Sequence, residues 1–206
     1  MASPKKKVPR TQESLSVEAW CKAAVNLIIR EGVQALAVEP MTRELGVTKG
    51  SFYWHFENRD ALVHETLRRW ELDQTRDLFA RFGAIEDPLS RLRILMFAAF
   101  EDIENGLLFA ALSSSSEDPR VQPYLKQVSE QRLQYVTESF QALDLEPEEA
   151  RRRALFAYSS YVGYFHLLRA IPDRVKAVSD LSAYVHYLAD SLAPRREPAA
   201  KGRKAR

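Results

Sequence analysis

The residues with chemistry to offer crowd into one short stretch. Between residues 48 and 59 the chain places Thr48, Lys49, Gly50, Ser51, Tyr53, Trp54, His55 and Arg59. Hydroxyls, cations, an imidazole and two large aromatics are groups for non-covalent recognition, suited to phosphate oxygens and base edges. Nothing in the spacing assembles a reaction. There is no Ser/His/Asp grouping, no phosphate-binding glycine loop and no cluster of metal ligands, and His55 has no second ligand at a metal-like spacing. No enzyme activity, no cofactor and no metal are therefore expected.

Two short helices must position these groups. Pro40 opens the first, 38–45, and Met41 and Leu45 give it an apolar stripe. Gly46 makes a tight turn. Thr48 can cap the second helix, 49–55, whose Phe52 and Phe56 stand at i and i+4 and face a preceding helix, 17–31. That earlier helix starts after Ser16 and carries Trp20, Ala23, Ala24, Leu27 and Ile28 at three- and four-residue steps up to Gly32. A short helix with donors near its N-terminus, pinned from below by an apolar pair, is what a helix-turn-helix inserts into a major groove. Gly50 would let the backbone come close to a partner.

The rest of the chain reads as helix as well. Glycine is scarce, at 7 of 206 residues. Further helices are predicted at 59–82, 88–105, 107–114, 119–143, 147–170 and 174–192, about nine in all. Asp87-Pro88 and Asp118-Pro119 read as starts, and Asn105-Gly106 and Ser113–Ser116 as breaks. A lone Cys21 suits a reducing cytoplasm, no run of about 18 apolar residues offers a membrane span, and the basic N-terminus has no apolar segment behind it.

The run Leu45-Gly46-Val47-Thr48-Lys49-Gly50-Ser51-Phe52-Tyr53-Trp54-His55-Phe56, followed by Asn58-Arg59-Asp60-Ala61-Leu62 and preceded by Ala24, Leu27, Ile28 and Gly32, resembles the TetR family of transcriptional regulators over roughly residues 15–70. The resemblance implies an all-α homodimer. It divides the chain into a basic arm (1–12), a helix-turn-helix domain (13–60), a helical ligand-binding and dimerisation domain (61–194) and a basic tail (195–206), both ends being disordered. Thr48, Lys49, Gly50, Ser51, Tyr53, Trp54 and His55 would face double-stranded DNA, and Arg59 would meet phosphate. A small-molecule effector would sit among Trp70, Phe97, Phe100, Glu101, Phe109, Tyr161, Phe165 and His166. The dimer would form through the last two long helices, with Leu155, Tyr158, Val162, Gly163, Val178, Leu181, Val185 and Leu188 at the interface and Gly163 at a helix crossing. The implied function is a ligand-released repressor on a palindromic operator. The alternative is an activator or architectural factor with no effector. Where the family opens the first motif helix from a Thr or Ser cap, this chain has Ala37-Val38-Glu39.

Charge adds one expectation. The formal total is +2, but it is unevenly placed. Residues 1–10 hold Lys5, Lys6, Lys7 and Arg10 and no acid. Residues 11–60 set Lys22, Arg30, Arg43, Lys49 and Arg59 against Glu13, Glu18, Glu31, Glu39, Glu44, Glu57 and Asp60, a net of −2. A DNA-facing segment of that sign needs its leading arm to create a favourable field. Deleting residues 1–10 should therefore weaken duplex binding and flatten the slope of log K against log salt. An unchanged slope in a salt titration would reject a role for the arm.

Overall fold

A computed structural model describes residues 15–178 and 180–193, without the side chains of 74–81 and 178. The arm 1–12 and the tail 195–206 lie outside the described residues. The chain divides into two units, 1–66 and 67–206, so the division falls inside a helix, six residues beyond the expected boundary at 60. Among the described residues every regular element is helical, and no helix is long and apolar enough to cross a membrane.

The first unit is built on three helices. α1 (Val17–Glu31) starts where the Ser16 hydroxyl accepts the Ala19 amide at 3.2 Å, and it stops at Gly32, whose φ of 87° a side chain would strain. A 3₁₀ turn at Val33–Ala35, unforeseen in the sequence, leads to α2 (Val38–Leu45). Ala37 precedes α2 with no side-chain cap, as the sequence at 37–39 requires. Gly46 closes α2 in the left-handed region, and the Val47 amide reaches back to the Thr42 carbonyl at 3.0 Å. α3 (Lys49–His55) then starts from the Thr48 hydroxyl, which accepts the Ser51 amide at 3.4 Å. Outside the helices' core faces, Arg30 grips Glu44 through two hydrogen bonds of 3.1 and 2.9 Å, tying α1 to α2.

α4 (Arg59–Gly83) runs from the first unit into the second. The second unit continues with α5 (Pro88–Glu101), α6 (Ile103–Ser113), α7 (Gln122–Gln141), α8 (Pro147–Ala170), α9 (Pro172–Val178) and α10 (Leu181–Leu192). α8 is the central element and packs on α6, α7, α9 and α10. Its Tyr161, Tyr164 and Phe165 join Phe100 of α5 and Tyr184 of α10 in one aromatic cluster with centroids 5.0–6.0 Å apart.

Three expectations about the elements are corrected. The break after α5 comes at Asp102, not at Asn105-Gly106: the Asp102 carboxylate accepts the Asn105 amide at 3.2 Å and starts α6, leaving Asn105 and Gly106 inside a helix. α7 begins three residues later than predicted, because Asp118 holds Arg120 in a turn instead of capping a helix. The predicted helix 174–192 is two, α9 and α10, with an extended Asp180 before the second. Within the unit the close crossing is at Gly106; the crossing expected of Gly163 belongs to a second copy. A Cβ on Gly163 would meet nothing within 4 Å, whereas one on Gly106 would land inside the Phe165 ring.

Gly106 is therefore kept by the α6–α8 contact. Alanine there would gain about 1 kcal/mol in helix propensity. Phe165 is fully buried and cannot swing away, and overpacking of this kind costs about 1–3 kcal/mol or more. Gly106→Ala should lower the denaturation midpoint despite the better helix former. A raised midpoint would show that the two helices have room to separate.

Candidate nucleic-acid interface and ligand cleft

Packing beneath α3 decides what faces out. Trp20 of α1 is fully buried and meets Phe52 edge-on at 5.5 Å and Phe56 at 6.3 Å. Phe52 and Phe56 are themselves buried. With that face fixed, the 100° step of an α-helix turns the next two positions outward. Tyr53 is 58% and Trp54 80% exposed. Thr48, Lys49 and Gly50 are exposed beside them. A Cβ on Gly50 would meet only the Thr48 hydroxyl, at an ordinary 3.6 Å, so nothing in the fold itself demands glycine there.

The other predicted contact residues are held inward to different degrees. Ser51 is half-buried. His55 is half-buried too, and its Nε2 is buried without a hydrogen-bond partner. Arg59 has partners within the chain as well: its Nη2 donates to the carbonyls of Val33 and Gln34, each at 3.2 Å, and to the Gln34 side chain at 3.4 Å. The guanidinium thus fastens the start of α4 to the 3₁₀ turn that precedes α2.

One neighbour was not foreseen. Glu39 of α2 accepts a hydrogen bond from Lys49 Nζ at 2.5 Å. The bond raises the Lys49 ammonium above its usual value and lowers the Glu39 carboxyl below its own. Both groups are fully exposed, so the pair adds little to stability. It does place an acid beside the one cation at the start of α3. Glu39 was visible in the sequence as the residue replacing a hydroxyl cap, but its reach to Lys49 depends on the α2–α3 angle.

In the second unit, a cleft partly open to solvent lies between α5, α6, α7 and α8. Of the expected pocket residues, Phe100 and Tyr161 line it. Phe109 stands behind Tyr161 at 6.2 Å, and Trp70 donates its indole N–H to Asn105 at 2.8 Å. Phe165 is in the core against Gly106, and Phe97 packs on His186. Glu101 is exposed and His166 half-buried, and neither lines the cleft. Residues not predicted for it include Asn105, Arg132, Tyr135 and Tyr158. Arg132 could have been found: it interrupts the apolar stripe Val128–Arg132–Val136 at i, i+4 and i+8.

The expected interface residues also divide. Val185 and Leu188 are buried within the unit's own core, 1% and 5% exposed, and have no surface to offer a second copy. Tyr158 is in the cleft wall. Val178 falls among the side chains not described. Leu155 is exposed, and Val162, Gly163 and Leu181 are half-buried. Exposed apolar residues that periodicity did not single out are Phe156 and Leu167 on α8 and Tyr187 on α10.

Comparison with known proteins agrees with this geometry. Residues 21–66 match the family model described as bacterial regulatory proteins, tetR family. Over 86 residues the chain is 37% identical to the HTH-type transcriptional repressor KstR2 of Mycobacterium tuberculosis, a match spanning 40% of this chain and 41% of that relative. The chain thus spans about two-fifths of the length of the curated relatives it matches. Among solved structures, a TetR transcriptional regulator from Legionella pneumophila superposes with a TM-score of 0.72 at 14% identity, covering 88% of this chain and 98% of that one. The regulator FadR from Bacillus subtilis, solved in complex with stearoyl-CoA, superposes with a TM-score of 0.68 at 13% identity, covering 86% and 97%. The helix-turn-helix of residues 21–66, whose last helix rests on Phe52 and Phe56, is a TetR-family domain.

Proposed function

We propose that the chain is a transcriptional repressor that binds a palindromic operator as a homodimer, through Thr48, Lys49, Gly50, Ser51, Tyr53 and Trp54, and leaves it when a small molecule enters the cleft. Such a protein acts in the cytoplasm and needs no catalytic group. The observation that carries the reading is the outward display of Tyr53 and Trp54 from a helix whose opposite face is locked. Leaving a Trp side chain in water forgoes about 1.5–3 kcal/mol of burial, which a partner that stacks on or packs against it would recover. A relative over the same region is named a transcriptional repressor, which supports the same direction.

A palindrome needs two recognition helices related by a two-fold axis. Leu155, Phe156, Leu167 and Tyr187 supply exposed apolar surface on α8 and α10 that a second copy would cover. The effector reading is supported by the cleft, which is lined mainly by apolar groups with a few polar ones among them. Ligand binding would favour a conformer whose paired α3 helices no longer match successive major grooves.

A gel shift on the DNA upstream of the chain's own gene tests this. Tyr53→Ala and Trp54→Ala should each weaken specific binding about tenfold or more, on the scale of base–aromatic stacking or a lost buried contact, with an unchanged thermal midpoint. Full affinity in both variants would remove α3 as the reading element. Glu39→Gln gives the opposite sign. It frees Lys49 and removes a repelling charge, so affinity should rise several-fold at low salt and the salt slope should steepen by up to about one unit. Weaker binding by this variant would mean that the Glu39–Lys49 pair positions α3 instead of competing with phosphate.

A further inference from the structure

The reading above leaves the chemistry of the ligand open, and the cleft wall narrows it. We infer that the cleft takes an apolar molecule ending in a carboxylate, with that carboxylate seated on Arg132. The inference rests on the ligand-binding reading and adds a chemical class to it.

Arg132 enters the cleft from α7 within an otherwise apolar stripe. Its guanidinium carbon lies 5.3 Å from the centre of the Phe109 ring and 5.6 Å from that of Tyr161. Those two faces restrict the fork, so less freedom is lost when it pairs with a planar anion. Two of its hydrogen bonds, to the neutral oxygens Tyr161 Oη and Asn105 Oδ1, are long at 3.4 Å each. A carboxylate would replace them with bonds of about 2.7–2.9 Å. Asn105 is held in place by the Trp70 indole, which keeps that side of the fork fixed.

The neighbouring phenols favour the same charge. Burial holds the Tyr158 and Tyr161 hydroxyls above their usual values, so both keep their protons at neutral pH. Tyr161 Oη accepts from Arg132, which leaves its own proton to donate. Leu92, Leu95 and Met96 of α5, with Val136 one turn further along α7, also line the cleft and would take the apolar body. Asp102 also borders the cleft, but its carboxylate caps α6 at the Asn105 amide. A cationic head would need aromatic faces that Arg132 already covers.

The test uses the full chain and an octyl series differing only at the head: octanoate, 1-octanol, octyl phosphate and octyltrimethylammonium, titrated by calorimetry. Octanoate should bind about tenfold or more tighter than octanol, the scale of a charge-assisted hydrogen bond. Arg132→Gln should erase that difference while octanol binding stays as it was. Tyr161→Phe, which removes the phenolic proton that a carboxylate would accept, should weaken octanoate several-fold and leave octanol unchanged, and it decides the matter if the Arg132 variant does not fold. Equal affinity for octanoate and octanol, or a preference for octyl phosphate or octyltrimethylammonium, overturns the inference. A parallel gel shift separates the two levels. Octanoate that binds with the carboxylate preference yet leaves the duplex bound supports the ligand class and sinks ligand-driven release. A duplex released by another compound, with no octanoate binding, does the reverse.

Discussion

Everything the first unit does depends on how Trp20 is seated over Phe52 and Phe56. Trp20 meets both phenylalanines edge-on in a site closed to water, and the three rings join the first turn of α1 to the middle and the C-terminal end of α3. A seven-residue helix has almost no stability of its own, because nucleation is costly and few hydrogen bonds follow. α3 exists because its Phe face is held, and its rotation is set by the same contact. The exposure of Tyr53 and Trp54 is a consequence of that rotation. The Thr48 cap and the left-handed Gly46 fix where α3 begins, so register and rotation are both determined before any partner arrives.

The second unit follows a comparable rule with a different device. Gly106 lets α6 lie directly against Phe165 of α8, which brings Phe100, Tyr161 and Phe165 into one cluster. The cleft is the space beside that cluster where α5 and α7 do not close on α8. Its polar groups are second-order products of the same packing. Trp70 orients Asn105, and Asn105, Tyr161 and Phe109 together confine Arg132. A site made this way is stiff on its polar side and apolar on the other.

The two units were not equally legible. Residues 45–62 could be read because their signals are local: a cap, a glycine turn, and aromatics one helical turn apart all lie within a few positions. The contacts of Arg59 with the carbonyls of Val33 and Gln34 were not foreseen, because those carbonyls belong to a 3₁₀ turn that sequence periodicity does not announce. Asn105-Gly106 looked like a break because both residues are poor helix formers. Their helical placement reflects tertiary needs, a buried indole partner and a close crossing, that override propensity. Val185 and Leu188 have the same periodic signature as residues of a subunit interface. Only the packing of α10 on α5 and α8 shows that their own unit buries them. Arg132 was visible as a cation inside an apolar stripe, but its setting against Phe109, Asn105 and Tyr161 appears only once α6, α7 and α8 are assembled.

The central claim is that the outward face of α3 is the surface that reads a duplex. Photo-crosslinking tests it most directly. A benzoylphenylalanine placed at position 53 should crosslink to the upstream duplex, lose the crosslink to a scrambled duplex of equal length, and give none when placed instead at position 187 on α10. Equal crosslinking from both positions, or none from position 53 under conditions where the duplex is bound, would contradict it.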